Sequence, residues 1–243
     1  MKLITLNTWG KCGPYQERWN FLLKELARLK PDLLCLQEVV DDGLTQKLQK
    51  LLGLTHTVSA YKAGLLVMSR FPILEQRVLI YQDHSPFETK DERRVILAKI
   101  KIQNQELMIT NTHLTWRVED RLIRDEQVRE LLEAVEEAEL PSIICGDLND
   151  VPDSLALKQI QTAGYENLIQ NYHPKPITWD NQNLFIQTHK VKFPNRQIDY
   201  ILMHQTTSKI LKPKSCEVVF NRPNEKLIYP SDHYGLLAEF VVR

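Results

Sequence analysis

Residues able to bind a metal ion or move a proton recur in this sequence where short apolar runs stop: Asn7, Glu38, His113, Asp147 with Asn149, and Asp232 with His233. Side chains at strand ends gather at the rim of a sheet, where positions distant in sequence can meet in one cleft. Such a cleft would hold the groups needed for metal-assisted or acid–base chemistry. For any one of these sites a plain alternative stands beside the functional one, because Asp and Asn after a strand are common turn formers. Spacing alone leaves both readings open.

The elements that would position these residues follow from hydrophobic periodicity. Residues 2–6 predict a strand ending at Asn7. Trp19, Leu22, Leu23, Leu26 and Leu29 share one helical face between Pro14 and Lys30, and Pro31 closes that segment. Residues 33–36 predict a second buried strand that delivers Gln37 and Glu38 at its end. Leu44, Leu48, Leu51 and Leu52 mark another helix, followed after Gly53 by short strands at 57–60, 65–69 and 78–81. Alternation in Ala98-Lys99-Ile100-Lys101-Ile102 ends a strand over 94–102, which pairs through a turn at 103–105 with 106–110. A helix over about 118–137, carried by Leu122, Val128, Leu131, Leu132 and Val135, leads through Pro141 into a strand at 142–145. Later strands fit 198–203 and 236–242. The Pro- and Asn-rich stretch 172–197 is the expected substrate-side loop.

With 243 residues, 43% of them hydrophobic and 26% charged, the chain reads as a single domain over residues 1–243. Lys and Arg balance Asp and Glu at 31 each, so no overall field draws in a long polyanion such as duplex DNA. His189, Lys190, Lys192 and Arg196 form a local basic run, either a backbone-binding patch or a solvated face. Cys12, Cys35, Cys145 and Cys216 show no metal-knuckle spacing and read as reduced core residues. Neither a signal peptide nor a membrane-length apolar run is evident, so a cytoplasmic setting is the default, and signal-independent secretion would leave no trace here. A monomer is expected.

Taken together, the segments Leu6-Asn7-Thr8-Trp9-Gly10, Leu36-Gln37-Glu38-Val39, Asn111-Thr112-His113-Leu114, Gly146-Asp147-Leu148-Asn149, Gln197-Ile198-Asp199-Tyr200-Ile201-Leu202 and Ser231-Asp232-His233-Tyr234-Gly235 carry more weight. In this order they resemble the endonuclease/exonuclease/phosphatase superfamily, the DNase I-like fold, over nearly the whole chain. The resemblance implies an α+β class: a four-layer α/β/β/α sandwich of two mostly antiparallel sheets flanked by helices, with the active site at one edge. It implies that Glu38 is the chief metal ligand, with Asn7 and Asp232 nearby, a hard oxygen-rich set that suits Mg2+ or Mn2+. It places Asp147 and Asn149 beside the attacking water and the scissile phosphate. Asp199 matches the carboxylate that orients the histidine, here His233, and His113 matches a residue that touches the phosphate oxygens. A carboxylate on the far imidazole nitrogen fixes the tautomer and steadies the charged form.

Arg94 is the candidate substrate cation, against the reading of a surface arginine on a strand edge. Thr178-Trp179 resembles a family element whose aromatic ring can line the pocket, against a tryptophan that anchors its loop. Family nucleases acting on abasic DNA carry an acidic residue where this chain has Trp9, while the Asn-x-Trp-Gly form is that of neutral sphingomyelinase-like members, which favours one metal over two. The expected activity is Mg2+-dependent hydrolysis of a phosphate ester: a lipid headgroup, a small molecule or a nucleic-acid end. The alternatives are a nuclease acting on DNA or RNA ends and a catalytically silent binding module, the latter set against the presence of Glu38, Asp147, Asn149, Asp199, Asp232 and His233.

Overall fold

Strand β1 (Lys2–Asn7) is buried from its second residue on, and β2 (Leu33–Gln37) along its whole length, the mark of strands with a layer packed on each face. A computed structural model describes residues 1–40, 43–87 and 92–243 and supplies those layers. One sheet contains β1, β2, β3 (His56–Ala60), β4 (Leu65–Ser69), β11 (Leu211–Val219) and β12 (Gly235–Val242), in the order β11-β12-β1-β2-β4-β3. The other contains β5 (Ile73–Ile80), β6 (Arg94–Ile102), β7 (Gln105–His113), β8 (Ser142–Asp147), β9 (Tyr165–Asn167) and β10 (Asp199–His204), in the order β5-β6-β7-β8-β10-β9.

Neighbouring strands are antiparallel except at the middle of each sheet, where β1 lies parallel to β2 and β7 parallel to β8. A parallel pair requires a crossover, and helices α1 (Tyr15–Leu29) and α3 (Arg121–Glu136) provide the two. Strand alternation divides the apolar residues between layers. Leu3, Cys35, Ile96, Ile109, Cys145 and Ile201 fill the space between the sheets. Ile4, Leu34 and Leu66 face Leu22 and Leu26 of α1 and Leu48 of α2 (Leu44–Leu52). On the opposite side Leu97, Ile144 and Leu202 face Val128 and Leu131 of α3 and Leu157 and Ile160 of α4 (Leu155–Thr162). The product is the expected α/β/β/α sandwich of two mostly antiparallel sheets.

This topology builds the rim. The parallel pairs end together, with Asn7 opposite Gln37 and His113 opposite Asp147, and β10 begins at Asp199 opposite Asp147. Strand β12 starts at the same edge of its sheet, where Leu236 pairs with Thr5. Four strand ends and two strand starts therefore meet along one edge.

Several details differ from the sequence-based expectations. Residues 118–120 form a 3-10 turn before α3, so Leu122 sits in the first α turn at 75% exposure instead of on the buried face. Strand β7 runs on to His113, three residues past the expected end, because Asn111, Thr112 and His113 stay in the ladder. Helix α4, capped by the Ser154 hydroxyl on the Leu157 amide at 3.2 Å, and strands β9 and β11 carry no expectation from the sequence. Cys35, Cys145 and Cys216 are buried free thiols as expected, whereas Cys12 is exposed. Among the described residues no helix is long and apolar enough to cross a membrane.

Candidate active site

The two sheets are locked at the rim by buried amides. Gln37 Nε2 donates to Asn111 Oδ1 at 2.7 Å, and Asn111 Nδ2 donates to the carbonyls of Leu36 at 2.9 Å and Leu66 at 3.0 Å, across the sandwich. Neither residue received a role from the sequence, although both stand inside the matched motifs. Gly146 has φ +143°, and a Cβ there would lie 2.0 Å from the Thr112 carbonyl oxygen. Only glycine allows β8 to approach β7 this closely beside Asp147.

From this frame the polar side chains converge. Asn7 Nδ2 donates to Glu38 Oε1 and to Asp147 Oδ2, each at 3.0 Å, and so spaces two carboxylates, while its Oδ1 accepts the Trp9 amide at 3.0 Å. Asn7 Oδ1, the oxygen expected to face a metal, accepts this one hydrogen bond and keeps a second lone pair. Asn149 donates its backbone N–H to Asp147 Oδ1 at 2.9 Å and its side-chain Nδ2 to the Leu114 carbonyl at 3.0 Å. Trp9, Glu38 and Asn149 all take left-handed backbone conformations, φ 57°, 54° and 52°. Non-glycine residues seldom do so, and where they do the surroundings hold them in place.

His233 is buried with its Nδ1 3.0 Å from Asp199 Oδ2 and 3.2 Å from Oδ1, and its Nε2 3.8 Å from Asp147 Oδ2. The Trp179 ring stands edge-on to the imidazole with centroids 5.1 Å apart. The Thr178 hydroxyl accepts the amides of Ile198 and Asp199 at 3.0 and 3.1 Å, so the Thr-Trp element orients both partners of the pair. Burial disfavours the charged imidazole, but the carboxylates of Asp199, Asp147 and Asp232 outweigh it and hold the His233 pKa well above its ordinary range. Burial and the Asp199 charge push Asp147 up to about 7. His113, with Nε2 3.5 Å from Asp147 Oδ2, is driven well below its usual range by burial and by the charges of Arg93 and His233. One edge of the cleft thus carries a charged imidazole and the other a neutral one.

Asp232 has Oδ2 3.0 Å from His189 Nε2 and Oδ1 3.2 Å from Ser231 Oγ, whose proton goes to the nearer Asn7 carbonyl. Sequence reasoning left His189 unassigned; its place in the substrate-side loop was the available signal. Burial and the nearby Asp232 carboxylate raise the Glu38 pKa. A buried carboxylate whose ionisation is opposed by a neighbouring one, with oxygen as the donor atom, fits a hard divalent cation. Asp147, Asp199 and His233 also bring ligand atoms within 4.8 Å of one another. There, however, Asp199 already occupies His233 Nδ1, and the oxygens of Glu38 and Asp232 are the other set that could hold an ion.

The cleft, about 710 Å³, is lined by Asn7, Glu38, His113, Asp147, Asn149, Asp232 and His233 together with Trp9, Trp116, Trp179, Phe193, Arg93, Lys190 and Arg196. Trp179 lies where the sequence placed it. Arg94 does not: it enters the β6 ladder opposite Ile80 and pairs with Glu92, while its neighbour Arg93 lines the cleft, as does Arg196. Asp199 lies behind His233 and is fully buried.

A fold of two sheets with a rim of carboxylates and histidines defines a class of phosphoric ester hydrolases, and the comparisons agree with it. Residues 4–233 match the Endonuclease/Exonuclease/phosphatase family, and the chain belongs to that family. Its enzymes are generally dependent on divalent metal ions. The chain is 28% identical to Protein angel of Drosophila melanogaster over 94% of its own length and 72% of that protein's. It is 26% identical to Tyrosyl-DNA phosphodiesterase 2 of Gallus gallus over 99% of its length and 66% of that protein's. The crystal structure of D. rerio TDP2 complexed with single strand DNA product superposes with a TM-score of 0.83 at 22% identity, covering 99% of this chain and 98% of that one, which confirms the fold.

Proposed function

We propose that this chain hydrolyses a phosphodiester by water attack, with Glu38 and Asp232 holding a divalent ion, Mg2+ or Mn2+. The observation that carries this reading is the 3.8 Å separation between His233 Nε2 and Asp147 Oδ2, two groups aimed at one point of the cleft. The gap is too long for a direct hydrogen bond, and an oxygen set to one side of it reaches both at hydrogen-bonding distance. Asp147, with its pKa near neutrality, is matched to accept the proton of a water held there. Asp199 fixes the imidazole, so the charged His233 faces the developing negative charge. His113, neutral at working pH, can donate a hydrogen bond to a phosphate oxygen or to the leaving group. Asn7 holds the Glu38 and Asp147 carboxylates apart. When bound, the ion would polarise the phosphate and neutralise charge in the transition state.

The reading includes a single domain over residues 1–243, supported by the continuous core between the sheets, and a monomer in a cytoplasmic setting. A second reading, favoured by one observation, makes the substrate a nucleic-acid end. The Arg196 guanidinium lies 3.9 Å over the Phe193 ring, and Trp9, Trp116 and Trp179 add aromatic surface, the combination that holds single strands by stacking and charge. A substrate panel tests both readings: bis(p-nitrophenyl) phosphate, sphingomyelin, and oligonucleotides with and without 5′-tyrosyl ends, each with Mg2+, Mn2+ and chelator. Metal-dependent turnover is expected with at least one diester. No turnover of any of them by folded protein would sink the proposal, and oligonucleotide binding insensitive to salt would sink the nucleic-acid reading.

A further inference from the structure

Arg18 is wholly buried in the first turn of α1, and among the described residues no carboxylate makes a salt bridge with it, Asp232 and Glu38 acting on it only as more distant charges. Its guanidinium donates to main-chain carbonyls: Nε to Cys12 at 3.1 Å, Nη1 to Thr8 and Pro230 at 2.9 Å each, and Nη2 to Gly10 at 3.0 Å, Cys12 at 2.9 Å and Trp9 at 3.4 Å. The same group lies 4.9 Å over the Trp9 ring, which forms a wall of the cleft. A buried cation without an ion-pair partner is costly, and one whose donors are all spent on loop carbonyls acts on those loops. The planar fork of arginine suits this task, since its donors point outward in fixed directions.

The carbonyls belong to two segments. Thr8 to Cys12 follows Asn7, and Pro230 precedes Ser231, Asp232 and His233. A second tie joins them, because Ser231 Oγ donates to the Asn7 carbonyl at 2.6 Å and accepts the His233 amide at 3.2 Å. The Thr8 hydroxyl reaches the Gln37 and Glu38 carbonyls at 2.9 and 3.0 Å, which extends the connection to the Glu38 edge. We propose that Arg18 is a positioning residue that clamps these two segments together and so sets the separation between the Asn7–Glu38 edge and the Asp232–His233 edge. It touches no reacting atom. Its effect on turnover rests on the reading of this cleft as the hydrolytic site, whereas its effect on the loops does not.

The experiment compares wild type with Arg18→Lys and Arg18→Ala in the full chain. Hydrogen exchange reads the Cys12 and His233 amides, and steady-state kinetics read bis(p-nitrophenyl) phosphate with Mn2+. Both variants should show faster exchange in the two segments together while the β1, β2 and β8 amides keep their protection. Turnover should drop about a hundredfold, with KM changing little, as expected when reacting groups are misplaced by about an ångström. Added guanidinium should restore part of the Arg18→Ala rate, and an equal concentration of methylammonium should not. If Arg18→Ala fails to fold, Arg18→Lys, which keeps the charge without the fork, carries the test. Faster exchange confined to one segment, or wild-type kcat in Arg18→Lys, would overturn the proposal. A wild-type protein inactive on every diester would refute the hydrolytic reading, with the exchange data still deciding the clamp.

Discussion

Replacing Asp199 with Asn keeps the size of a fully buried side chain and removes its charge. The lost interaction is a charge-assisted hydrogen bond to His233 Nδ1 at 3.0 Å, with a second oxygen at 3.2 Å. Hydrogen bonds to charged groups contribute about 1.5–3 kcal/mol, roughly a tenfold to hundredfold bias toward the protonated imidazole. The carboxamide also brings an N–H that can face Nδ1 and favour the tautomer with its proton on Nε2, pointed at Asp147. Both effects take the positive charge and the fixed orientation from the imidazole beside Asp147, and kcat should fall by about 10²- to 10⁴-fold with KM little changed. Two measurements check this: the pH dependence of kcat, and the NMR titration of the His233 ring. The sign is fixed, because losing the Asp199 anion must move the imidazole titration to lower pH. An unmoved titration, or a variant with wild-type kcat, would refute the argument that Asp199 orients and charges His233.

In chelator the stability of the protein should fall as pH rises from 6.5 to 8. Asp147 has a folded pKa of about 7, raised from 3.8, so its contribution is present at low pH and lost as pH climbs through the folded value; Glu38 and His233, also raised, act in the same direction. His113, shifted the opposite way, opposes this trend only at the low end of the window, where its unfolded imidazole is still partly protonated, and its effect fades as pH rises past its ordinary value. Denaturant midpoints at the two ends should differ, and Mg2+ should flatten the difference; a flat profile in chelator contradicts the assigned shifts. Gly64→Ala places a Cβ 2.9 Å from the Glu38 Cα at a φ of +66°, and should cost on the order of 1–3 kcal/mol while weakening metal binding, read by thermal unfolding and Mn2+ titration. Arg93→Ala should lower kcat/KM by about tenfold or more through loss of a cation at the phosphate site, whereas Arg94→Ala should stay near wild type. Equal losses in both would restore Arg94 to the site.

Much of this architecture was legible because each layer writes its own period. The α1 stripe from Trp19 to Leu29 and the continuous apolar run of β2 gave correct elements with boundaries within a residue or two. Polar residues were where the reading fell short. Asn111, Thr112 and His113 look like the end of a strand, but they continue the ladder into a rim where Asn111 finds partners across the sandwich and Thr112 and His113 find theirs beside their own sheet. Strand β11 escaped notice because it is an edge strand with outward Lys212 and Glu217 and a register shift at Pro213, features that protect edges and erase periodicity. The Arg93–Arg94 pair shows the limit of resolution in another way. One residue separates a side chain facing the cleft from one held by Glu92, and composition does not distinguish them. The contacts of Arg18 and His189 are met only after folding: Arg18 joins the carbonyls of Thr8 to Cys12 to that of Pro230, and His189 reaches an aspartate 43 positions away.

The central claim is that Asp147 takes the proton of the attacking water beside the charged His233 while Glu38 holds the ion. Single-turnover hydrolysis of bis(p-nitrophenyl) phosphate, with Mn2+ binding measured on the same samples, tests it most directly on wild type, Asp147→Ala, His233→Ala and Glu38→Ala. The account predicts that the first two variants lose at least about a hundredfold in rate with Mn2+ affinity nearly intact, and that Glu38→Ala loses Mn2+ affinity. Wild-type rates in His233→Ala or Asp147→Ala, or unchanged Mn2+ binding in Glu38→Ala, would contradict it.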